Sequence, residues 1–401
     1  MFFVVALIIL WVIHGYVAWR VVPTFGLPSS YSILAYSFIF ILSILPIVPI
    51  LLRVSGSEAK IIDRLSLLGY TSLGFFTLSF LIFLAKDIFI QAISIFDGLI
   101  NGAQAVDESK RDFLKGSLSI GLIGITGTAS TYGYYSARSG PKVLHQDIFL
   151  EFLPDEFENF TIAQISDLHV GSTIKRPYVE KVLSMIGHLN PDLIAVTGDL
   201  VDGSVAYLRE DVEPLKNMIA NYGTYFVTGN HEYFSGVDQW LDETSRLGMT
   251  NLINENRIIS KEGQQIAIAG ITDFRAHQIK PEHISDPKKA IDSVSDNMIK
   301  IMLAHQPNSI YAVHDAGVDL QLSGHTHGGQ FWPLTYPTKL ANAYLAGYYD
   351  HFGTQIYVNR GTGYWGPPLR IGVPSEITVF RLKKKVPVSY THLTLPTKRI
   401  V

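Results

Sequence analysis

The sequence predicts an α/β sandwich with two sheets, preceded by a helical membrane region. Uncharged apolar runs fill much of the first 140 residues, and strand-like runs alternate with helical segments from residue 148 onward. Strands that alternate with helices imply a largely parallel sheet with crossover helices. The strand-like runs are too numerous for one simple βαβ series, which favours two sheets.

Four uncharged runs in the N-terminal third are candidates for transmembrane helices, because a bilayer core needs about 20 apolar residues in a helix. They cover residues 1–19, 21–52, 65–85 and 116–137. A buried globular helix is the alternative for each, most of all for the fourth, which is rich in Gly, Ser and Thr. A cleaved signal peptide would explain only the first run, so we expect residues 1–137 to form about four membrane helices.

The basic residues of the loops give little information on orientation. The loop between the second and third runs carries three, and the loop between the third and fourth carries four, so the positive-inside rule nearly cancels. Residues 109–115 (SKRDFLK) resemble a twin-arginine export motif and precede an apolar stretch. This motif favours an extracytoplasmic catalytic region, with a basic cluster beside an ordinary helix end as the alternative.

Composition restricts the chemistry of any site. The chain has no cysteine, so disulfides and thiolate ligands are excluded and a metal must be held by oxygen and imidazole. The net charge of -3 provides no basic surface, so we expect no nucleic-acid partner.

The C-terminal part divides into a linker, a domain and a tail. Residues 138–147 (RSGPKVLHQD) are expected to be a linker, and residues 148–387 the α/β domain. Residues 388–401 begin with VSYTHLTLPT, which resembles an in-frame translation of a sequencing adapter. Residues 388–401 are therefore expected to be a non-native tail that is not part of the fold.

Five strand-like runs share one pattern, in which strand-forming residues end in a polar turn: FTIAQISDLH, DLIAVTGDL, TYFVTGNHE, KIMLAHQP and DLQLSGHTH. Helical segments lie at residues 175–189 and 237–247. RIISKEGQQIAIAGI predicts a hairpin that turns at Glu262 and Gly263. TQIYVNRG and SEITVFRL supply late strands.

The polar turns carry eight candidate site residues: Asp167, His169, Asp199, Asn230, His231, His305, His325 and His327. Loops after the carboxyl ends of parallel strands converge on one crevice. Oxygen and imidazole donors suit Mn, Fe or Zn, and their number exceeds the need of one four-coordinate ion. We therefore expect two divalent metal ions that share a carboxylate. In Asp-x-His and His-x-His, residues i and i+2 of an extended segment would point the same way.

The ordered set DxH, GD, GNHE, H and GHTH resembles the calcineurin-like metallophosphoesterase superfamily over residues 148–386. GHTHGGQ (324–330) and VNRGTGYWGPPLRIGVPSEITV (358–379) resemble its bacterial membrane-associated branch of phosphohydrolases. The resemblance implies a four-layer α/β/β/α sandwich and a bacterial cell membrane as location. It implies a first metal held by Asp167, His169, Asp199 and His327, and a second held by Asp199, Asn230, His305 and His325. His231 would contact the substrate phosphate and act as general acid.

The expected function is hydrolysis of phosphomono- or phosphodiesters by metal-activated water. The membrane region makes the lipid bilayer a partner and an amphiphilic lipid or cell-envelope precursor a candidate substrate. A nuclease or nucleotide phosphodiesterase with the same metals is one alternative. A non-catalytic membrane scaffold that keeps metals for structure is another.

Further residues have less specific roles. Gln330, Arg360 and Arg370 are candidates to bind substrate, with a structural salt bridge as the alternative for each arginine. Glu232 is expected to cap a helix or orient His231, and Asp202 to occupy a turn. Asp273 is either a turn residue or a support for the ligands. The aromatic segment 331–352 is either a lid or lipid-facing rim or a packed loop.

Overall fold

The computed structural model describes residues 2–55, 57, 59–101 and 108–385. The expected adapter-derived tail, residues 388–401, lies outside the described residues. Residues 109–115, which carry the candidate export motif, form the start of a helix.

Five α-helices lie in the described part of the N-terminal region. Two stretches, Val4–Phe25 and Lys60–Phe96, are long and apolar enough to cross a membrane. We expected about four such helices. Two helices among the described residues have the length and composition of a membrane span. The helices are α1 (Phe2–Val21), α2 (Ser29–Ile44), α3 (Val48–Val54), α4 (Lys60–Asn101) and α5 (Glu108–Arg138).

The apolar run over residues 21–52 does not form one long helix. Helix α2 ends at Ile44, a turn follows, and α3 begins at Val48. Pro46 and Pro49 explain the interruption, because proline lacks an N–H and disfavours a helical residue before it. Helix α1 packs against α2 and α4, and α4 packs against α5.

The α/β part contains twelve strands in the described residues: β1 (Lys142–Leu150), β2 (Thr161–Ile165), β3 (Leu193–Thr197), β4 (Thr224–Val227), β5 (Thr250–Asn251), β6 (Glu255–Lys261), β7 (Gln264–Gly270), β8 (Lys300–Leu303), β9 (Leu320–Ser323), β10 (Gly347–His351), β11 (Thr354–Val358) and β12 (Glu376–Lys384). Seven helices connect them: α6 (Arg176–Leu189), α7 (Val205–Val212), α8 (Asn230–Phe234), α9 (Val237–Arg246), α10 (Pro287–Ile291), α11 (Ile310–Asp315) and α12 (Thr335–Ala341).

The strands form two mixed six-stranded sheets, with the orders β1-β12-β2-β3-β4-β5 and β10-β11-β9-β8-β7-β6. Strands β2 to β5 are parallel in the first sheet, as are β7, β8, β9 and β11 in the second. The predicted hairpin is confirmed: β6 pairs antiparallel with β7, and Glu262 and Gly263 turn with φ of 52° and 87°.

The expected linker over residues 138–147 is too long. Helix α5 ends at Arg138 and β1 begins at Lys142, so residues 142–147 belong to the first sheet. Strand β1 pairs in parallel with β12 from Lys142 to Leu150. Only three residues separate the last N-terminal helix from the sheet.

Three buried clusters define the layers. Side chains of β2, β3 and β4 pack with those of α6, α7 and α9, including the fully buried Trp240. A second cluster joins the facing sides of the two sheets, for example Ile162 and Ile301. A third joins β7 and β8 with α10 and α11. Helices therefore cover the outer faces of two sheets that face each other, which brings strand ends from both sheets to one edge.

Candidate functional site

The predicted turns converge at the carboxyl ends of five strands, three in the first sheet and two in the second. Backbone hydrogen bonds join the turns of the first sheet: Asp167 N donates to Gly198 O at 3.0 Å and His169 N to Asp199 O at 3.1 Å. His325 N, after β9, donates to both carboxylate oxygens of Asp167 at 3.0 Å. The two sheets are thus held together directly at the site.

Asp167, His169 and His327 form the first cluster. His327 Nε2 lies 3.4 Å from Asp167 Oδ1 and 3.0 Å from His169 Nε2. His169 Nε2 lies 4.0 Å from the same carboxylate oxygen. All three residues are buried, and their ligand atoms are close enough together to hold one metal ion.

Asp199, His305 and His325 form the second cluster. His305 Nε2 lies 3.0 Å from Asp199 Oδ2 and 3.2 Å from His325 Nδ1. The same Asp199 oxygen lies 3.9 Å from His169 Nε2, in the first cluster. Asp199 therefore lies between the clusters, where a carboxylate could be shared by two cations.

Asn230 begins α8 beside the second cluster. Its Oδ1 is buried and has no hydrogen-bond partner among the described residues. An unsatisfied buried amide oxygen is costly, by about 1–3 kcal/mol. A cation would satisfy this oxygen, and the set of carboxylates, amide and imidazoles is one that Mn, Fe or Zn accepts. These residues therefore could hold divalent metal ions.

Hydrogen bonds to the outer ring nitrogens fix the orientation of two imidazoles. His305 Nδ1 lies 2.8 Å from the carbonyl oxygen of Thr197, and His169 Nδ1 lies 3.1 Å from Asp202 Oδ2. If the Nδ1 of each imidazole donates its proton to the oxygen that it faces, the Nε2 of the same ring keeps its lone pair for a metal ion.

Asp202 has a larger role than the turn that its sequence position indicates. Its Oδ2 faces His169, and its Oδ1 lies 2.5 Å from His231 Nδ1. Burial would raise the pKa of Asp202, but the two imidazoles outweigh burial and hold the pKa well below its usual range. The sequence feature that could have indicated this role is the position of Asp202 three residues after Asp199, in GDLVD.

His231 lies at the open side of the clusters. Its Nε2 is 4.0 Å from Asp199 Oδ2, and its side chain is 16% exposed. Burial would lower the pKa of His231, but the charges of Asp199 and Asp202 outweigh it and raise the pKa to about 10.

Glu232 is fully buried and supports the turn around Asp199. Its carboxylate accepts hydrogen bonds from Gly229 N at 2.6 Å, Asp199 N at 3.0 Å and Leu200 N at 2.7 Å. Burial, together with the charge of Asp199, raises the pKa of Glu232 to about 8. The expected capping role is confirmed by the hydrogen bond to Gly229, the residue before α8.

The backbone of the predicted ligands is strained. Five of them have positive φ between 50° and 72°: Asp167, His169, Asp199, His325 and His327. Residues other than glycine rarely adopt this conformation, and such strain concentrates at functional sites. The expectation that Asp-x-His and His-x-His are extended is therefore wrong. Asp167 and His169 both face the first cluster, whereas His327 faces the first cluster and His325 the second, and all four residues have a left-handed backbone.

Glycine is required where two turns approach each other. A Cβ on Gly229 would overlap the Asp199 carboxylate, and a Cβ on Gly324 would overlap Ser166 and Asp167. Glycine at these two positions therefore allows the turns to approach each other closely.

The three candidate substrate-binding residues all contact protein groups. Gln330 Nε2 donates to Trp365 O at 3.0 Å and Pro367 O at 2.9 Å. Arg360 Nη1 pairs with Glu376 Oε2 at 2.5 Å, the salt bridge that was its alternative. The buried Arg370 donates to His327 O at 3.0 Å, and its Nη2 lies 3.0 Å from His327 Nδ1. A role in substrate binding stays a prediction for each.

A cavity of about 360 Å³, the site cavity, opens beside the second cluster. Asn230 and His325 line it together with Arg275, which sequence analysis did not single out. The exposed Arg275 side chain forms no ion pair with any residue that the structure describes, whereas its backbone N–H donates to Asp273 Oδ1 at 2.9 Å. Asp273 also accepts from Gln306 Nε2 at 2.8 Å, so it supports the cavity wall.

The aromatic segment 331–352 borders the site cavity. Its short helix α12 ends at Ala341, and Ala341 and Asn342 line the cavity. Leu340 and Tyr336 on this helix are 91% and 64% exposed. A lid or lipid-facing rim stays a prediction that is compatible with this position.

Comparisons with known proteins agree with this geometry. The family model of calcineurin-like phosphoesterases matches residues 160–329. A "transmembrane protein with metallophosphoesterase domain" from Danio rerio is 34% identical over 331 residues, which cover 80% of this chain and 74% of the relative. An uncharacterized metallophosphoesterase of Helicobacter pylori (strain ATCC 700392 / 26695) is 35% identical over 307 residues, 76% of this chain and 80% of the relative. The uncharacterized metallophosphoesterase YkuE of Bacillus subtilis (strain 168) is 32% identical over 286 residues, 69% of this chain and 98% of the relative.

Proposed function

This chain belongs to the calcineurin-like phosphoesterase family, and we propose that it is a membrane-anchored enzyme that hydrolyses phosphate mono- or diesters with two divalent metal ions. Metal-dependent phosphoester hydrolysis is the activity of the family to which it belongs. The number of metals, the residues that hold them and the membrane anchor are the proposal's own content.

One observation carries the two-metal proposal: Asp199 Oδ2 lies 3.0 Å from His305 Nε2 and 3.9 Å from His169 Nε2. We assign Asp199 as the shared ligand. Asp167, His169 and His327 would complete the first metal site, and Asn230, His305 and His325 the second. The orphaned Asn230 Oδ1 supports its assignment as a ligand.

The protein's own groups have separate tasks in the proposed reaction. When bound, the two cations would supply an activated water and neutralise the phosphoryl oxygens. His231 would hold the proton that the leaving oxygen needs, and Asp202 would keep its Nδ1 side fixed. Arg275, at the edge of the site cavity, would attract a negatively charged group of the substrate.

The membrane anchor is supported by two independent observations. The stretches Val4–Phe25 and Lys60–Phe96 have the length and composition of membrane spans. The relatives of Danio rerio and Bos taurus are named as transmembrane proteins. Location in a bacterial cell membrane, with the catalytic part outside the cytoplasm, stays a prediction based on the bacterial branch and residues 109–115.

The test is hydrolysis of bis-p-nitrophenyl phosphate and p-nitrophenyl phosphate by the full chain in detergent with added Mn. We expect Asp199→Asn to reduce this activity by at least about 100-fold, because it removes the charge of the shared ligand. We expect His231→Ala to reduce hydrolysis of an alkyl phosphate, whose leaving oxygen needs a proton, by at least about 100-fold, since general acid catalysis contributes 10²–10⁴-fold. His188→Ala is a matched control, because His188 lies exposed on α6 away from the clusters. Equal activity in all three variants would exclude the assignment.

A further inference from the structure

Two exposed aromatic side chains border His231, the proposed proton donor. The ring centroids of Trp365 and Phe234 each lie 5.6 Å from that of the imidazole, and both pairs meet edge to face. Trp365 is 54% exposed and Phe234 is 69% exposed. Exposed apolar surface beside a reacting group is typical of a binding site. The part of the substrate next to the leaving oxygen would therefore meet aromatic surface.

The backbone around Trp365 is held in place by one buried side chain. Gln330 Oε1 accepts a hydrogen bond from Trp365 N at 2.9 Å, and Gln330 Nε2 donates to Trp365 O at 3.0 Å and Pro367 O at 2.9 Å. A surface that is fixed before binding loses less conformational freedom when a ligand arrives. Gln330 therefore acts as a positioning residue for the Trp365 ring.

The aromatic surface continues into the site cavity, because Phe234 also lines that cavity. Beyond Phe234, most of the wall is polar, with four amides, one carboxylate and one guanidinium: Gln278, Gln306, Asn308, Asn342, Asp273 and Arg275. The carboxylate and the guanidinium have opposite charges. The wall is therefore rich in hydrogen-bonding groups without a strong net charge.

Several of these polar groups are free to bind a ligand. The side chains of Gln278 and Arg275 form no hydrogen bond with any residue that the structure describes. Asn342 uses its Nδ2, which donates to Thr338 O at 2.9 Å, and its Oδ1 has no partner in the same part of the chain. An amide offers both a donor and an acceptor, and a guanidinium offers only donors. A ligand that satisfies them needs donors and acceptors together, as hydroxyl groups have.

Other ligand chemistries match this wall less well. An acyl chain would remove water from the amides and charges without replacing their hydrogen bonds, which is costly. A second phosphate would suit Arg275, but it would lie near the Asp273 carboxylate and would bring no donor for Asn342 Oδ1. A sugar ring carries C–H groups on its face, which the negative face of an aromatic ring attracts, and hydroxyl groups around its edge.

We propose that the leaving group of the substrate is a sugar or another cyclic polyol, whose ring faces Trp365 and Phe234 and whose hydroxyls bind the polar wall of the site cavity. This inference rests on the proposed function, because it names the substrate class of the same site. Hydrolysis breaks the P–O bond to the sugar, and water supplies the new P–O bond. The two protons of water end on the leaving oxygen and on the phosphate.

Three phosphate esters separate the contributions of the ring and of the hydroxyls. Glucose 1-phosphate has a ring with hydroxyls, cyclohexyl phosphate has a ring without them, and methyl phosphate has neither. We would measure kcat/KM for each ester with the full chain in detergent and added Mn. The effect of one substitution is then compared between esters, so that differences in their intrinsic reactivity cancel.

Trp365→Ala tests the aromatic surface. It should lower kcat/KM for the two cyclic esters about tenfold more than for methyl phosphate, as for loss of a contact of about 1.4 kcal/mol. Trp365→Phe keeps an aromatic face and should retain most of the preference for cyclic esters. Equal losses on all three esters in Trp365→Ala would overturn the inference, because Trp365 would then have only a structural role.

The control for the aromatic surface is Phe152→Ala, since Phe152 is 73% exposed and follows β1. Strand β1 is parallel to β12, and β12 is antiparallel to β2, so Phe152 lies at the edge opposite the site. This variant should not change kcat/KM for any of the three esters. An equal loss of the preference for cyclic esters in Phe152→Ala would overturn the assignment of Trp365.

Gln278→Met tests recognition of the hydroxyls, because methionine has a similar volume without the amide. It should lower kcat/KM for glucose 1-phosphate about threefold to tenfold more than for cyclohexyl phosphate, the effect of a typical hydrogen bond. The matched control is Gln239→Met, since Gln239 is exposed on α9 and does not line the site cavity. An equal effect of Gln278→Met on both cyclic esters would overturn recognition of hydroxyls.

Two further measurements separate this inference from its alternatives. If wild-type protein hydrolyses no ester, the proposed function fails, and binding of glucose 1-phosphate by isothermal titration still tests the inference: Trp365→Ala should weaken it about tenfold, and no binding to wild-type protein would overturn it. If wild-type protein hydrolyses methyl phosphate but neither variant changes the preferences, the inference alone fails. If Trp365→Ala impairs hydrolysis of adenosine 5′-monophosphate but not of glucose 1-phosphate, the ring is a nucleobase and the sugar assignment is overturned.

Discussion

Replacing Asp202 by asparagine is expected to reduce turnover of a phosphate ester by about 10- to 100-fold. Asp202 contacts His169 Nδ1 at 3.1 Å and His231 Nδ1 at 2.5 Å, and the variant removes its negative charge from both contacts. A hydrogen bond to a charged group contributes about 1.5–3 kcal/mol, and each 1.4 kcal/mol is a factor of ten. Loss of one such contact in the transition state gives the stated range.

The assay is kcat with p-nitrophenyl phosphate and with an alkyl phosphate, at saturating Mn and with bound metal measured by mass spectrometry. If His231 donates a proton, Asp202→Asn should impair the alkyl ester more, because p-nitrophenolate leaves with little protonation. Asp155→Asn is a control, since the Asp155 side chain is 82% exposed and pairs only with Lys384 among the described residues. Wild-type kcat on both esters in Asp202→Asn would show that the charge of Asp202 does not support turnover.

Three further predictions concern the turns, the site cavity and the metals. Gly229→Ala should destabilise the protein by about 1–3 kcal/mol in thermal unfolding, because its Cβ overlaps Asp199, whereas Gly187→Ala on α6 should not destabilise. Equal melting temperatures of Gly229→Ala and Gly187→Ala would contradict the requirement for glycine at position 229. Arg275→Ala should raise KM for a small phosphate ester with little change in kcat. The control Arg257→Ala on β6 should change neither KM nor kcat. An unchanged KM in Arg275→Ala would exclude Arg275 from the substrate site. A chelator should lower the melting temperature of the wild-type protein, since a ligand at 100 times its Kd stabilises by about 2.7 kcal/mol. In Asp199→Asn, the chelator should not change the melting temperature. An unchanged melting temperature of the wild-type protein would contradict bound metal.

Several features could be predicted from the sequence because they depend on local pattern. The polar turns after β2, β3, β4, β8 and β9 lie where alternating strands and helices indicate, since the carboxyl ends of parallel strands share an edge. The hairpin at Glu262 and Gly263 follows from one turn signal between two apolar runs. Both predictions need only the order of residues along the chain.

Other features depend on contacts between distant segments, and local pattern does not carry them. Asp202 is a turn residue by its neighbours, and only the fold brings it to His231 and His169 at once. Arg275 has no motif around it and reaches the site cavity through the path of the chain after β7. The linker was predicted too long because RSGPKVLHQD is polar, while β1 is an outer strand that gains its stability from pairing with β12.

The left-handed ligands illustrate a further limit. An Asp-x-His segment is compatible with an extended strand, and nothing in its composition indicates φ of 52° and 53° at Asp167 and His169. The surrounding hydrogen bonds, such as His169 N to Asp199 O, impose this conformation from a neighbouring turn.

Anomalous diffraction from crystals grown with Mn can show whether Asp199 is shared by two metal ions. We expect two anomalous peaks about 3.5–4 Å apart, one against Asp167, His169 and His327 and one against Asn230, His305 and His325. A carboxylate oxygen of Asp199 should lie between the peaks. A single peak, or two peaks that do not both contact Asp199, would contradict the proposal that Asp199 is a shared ligand.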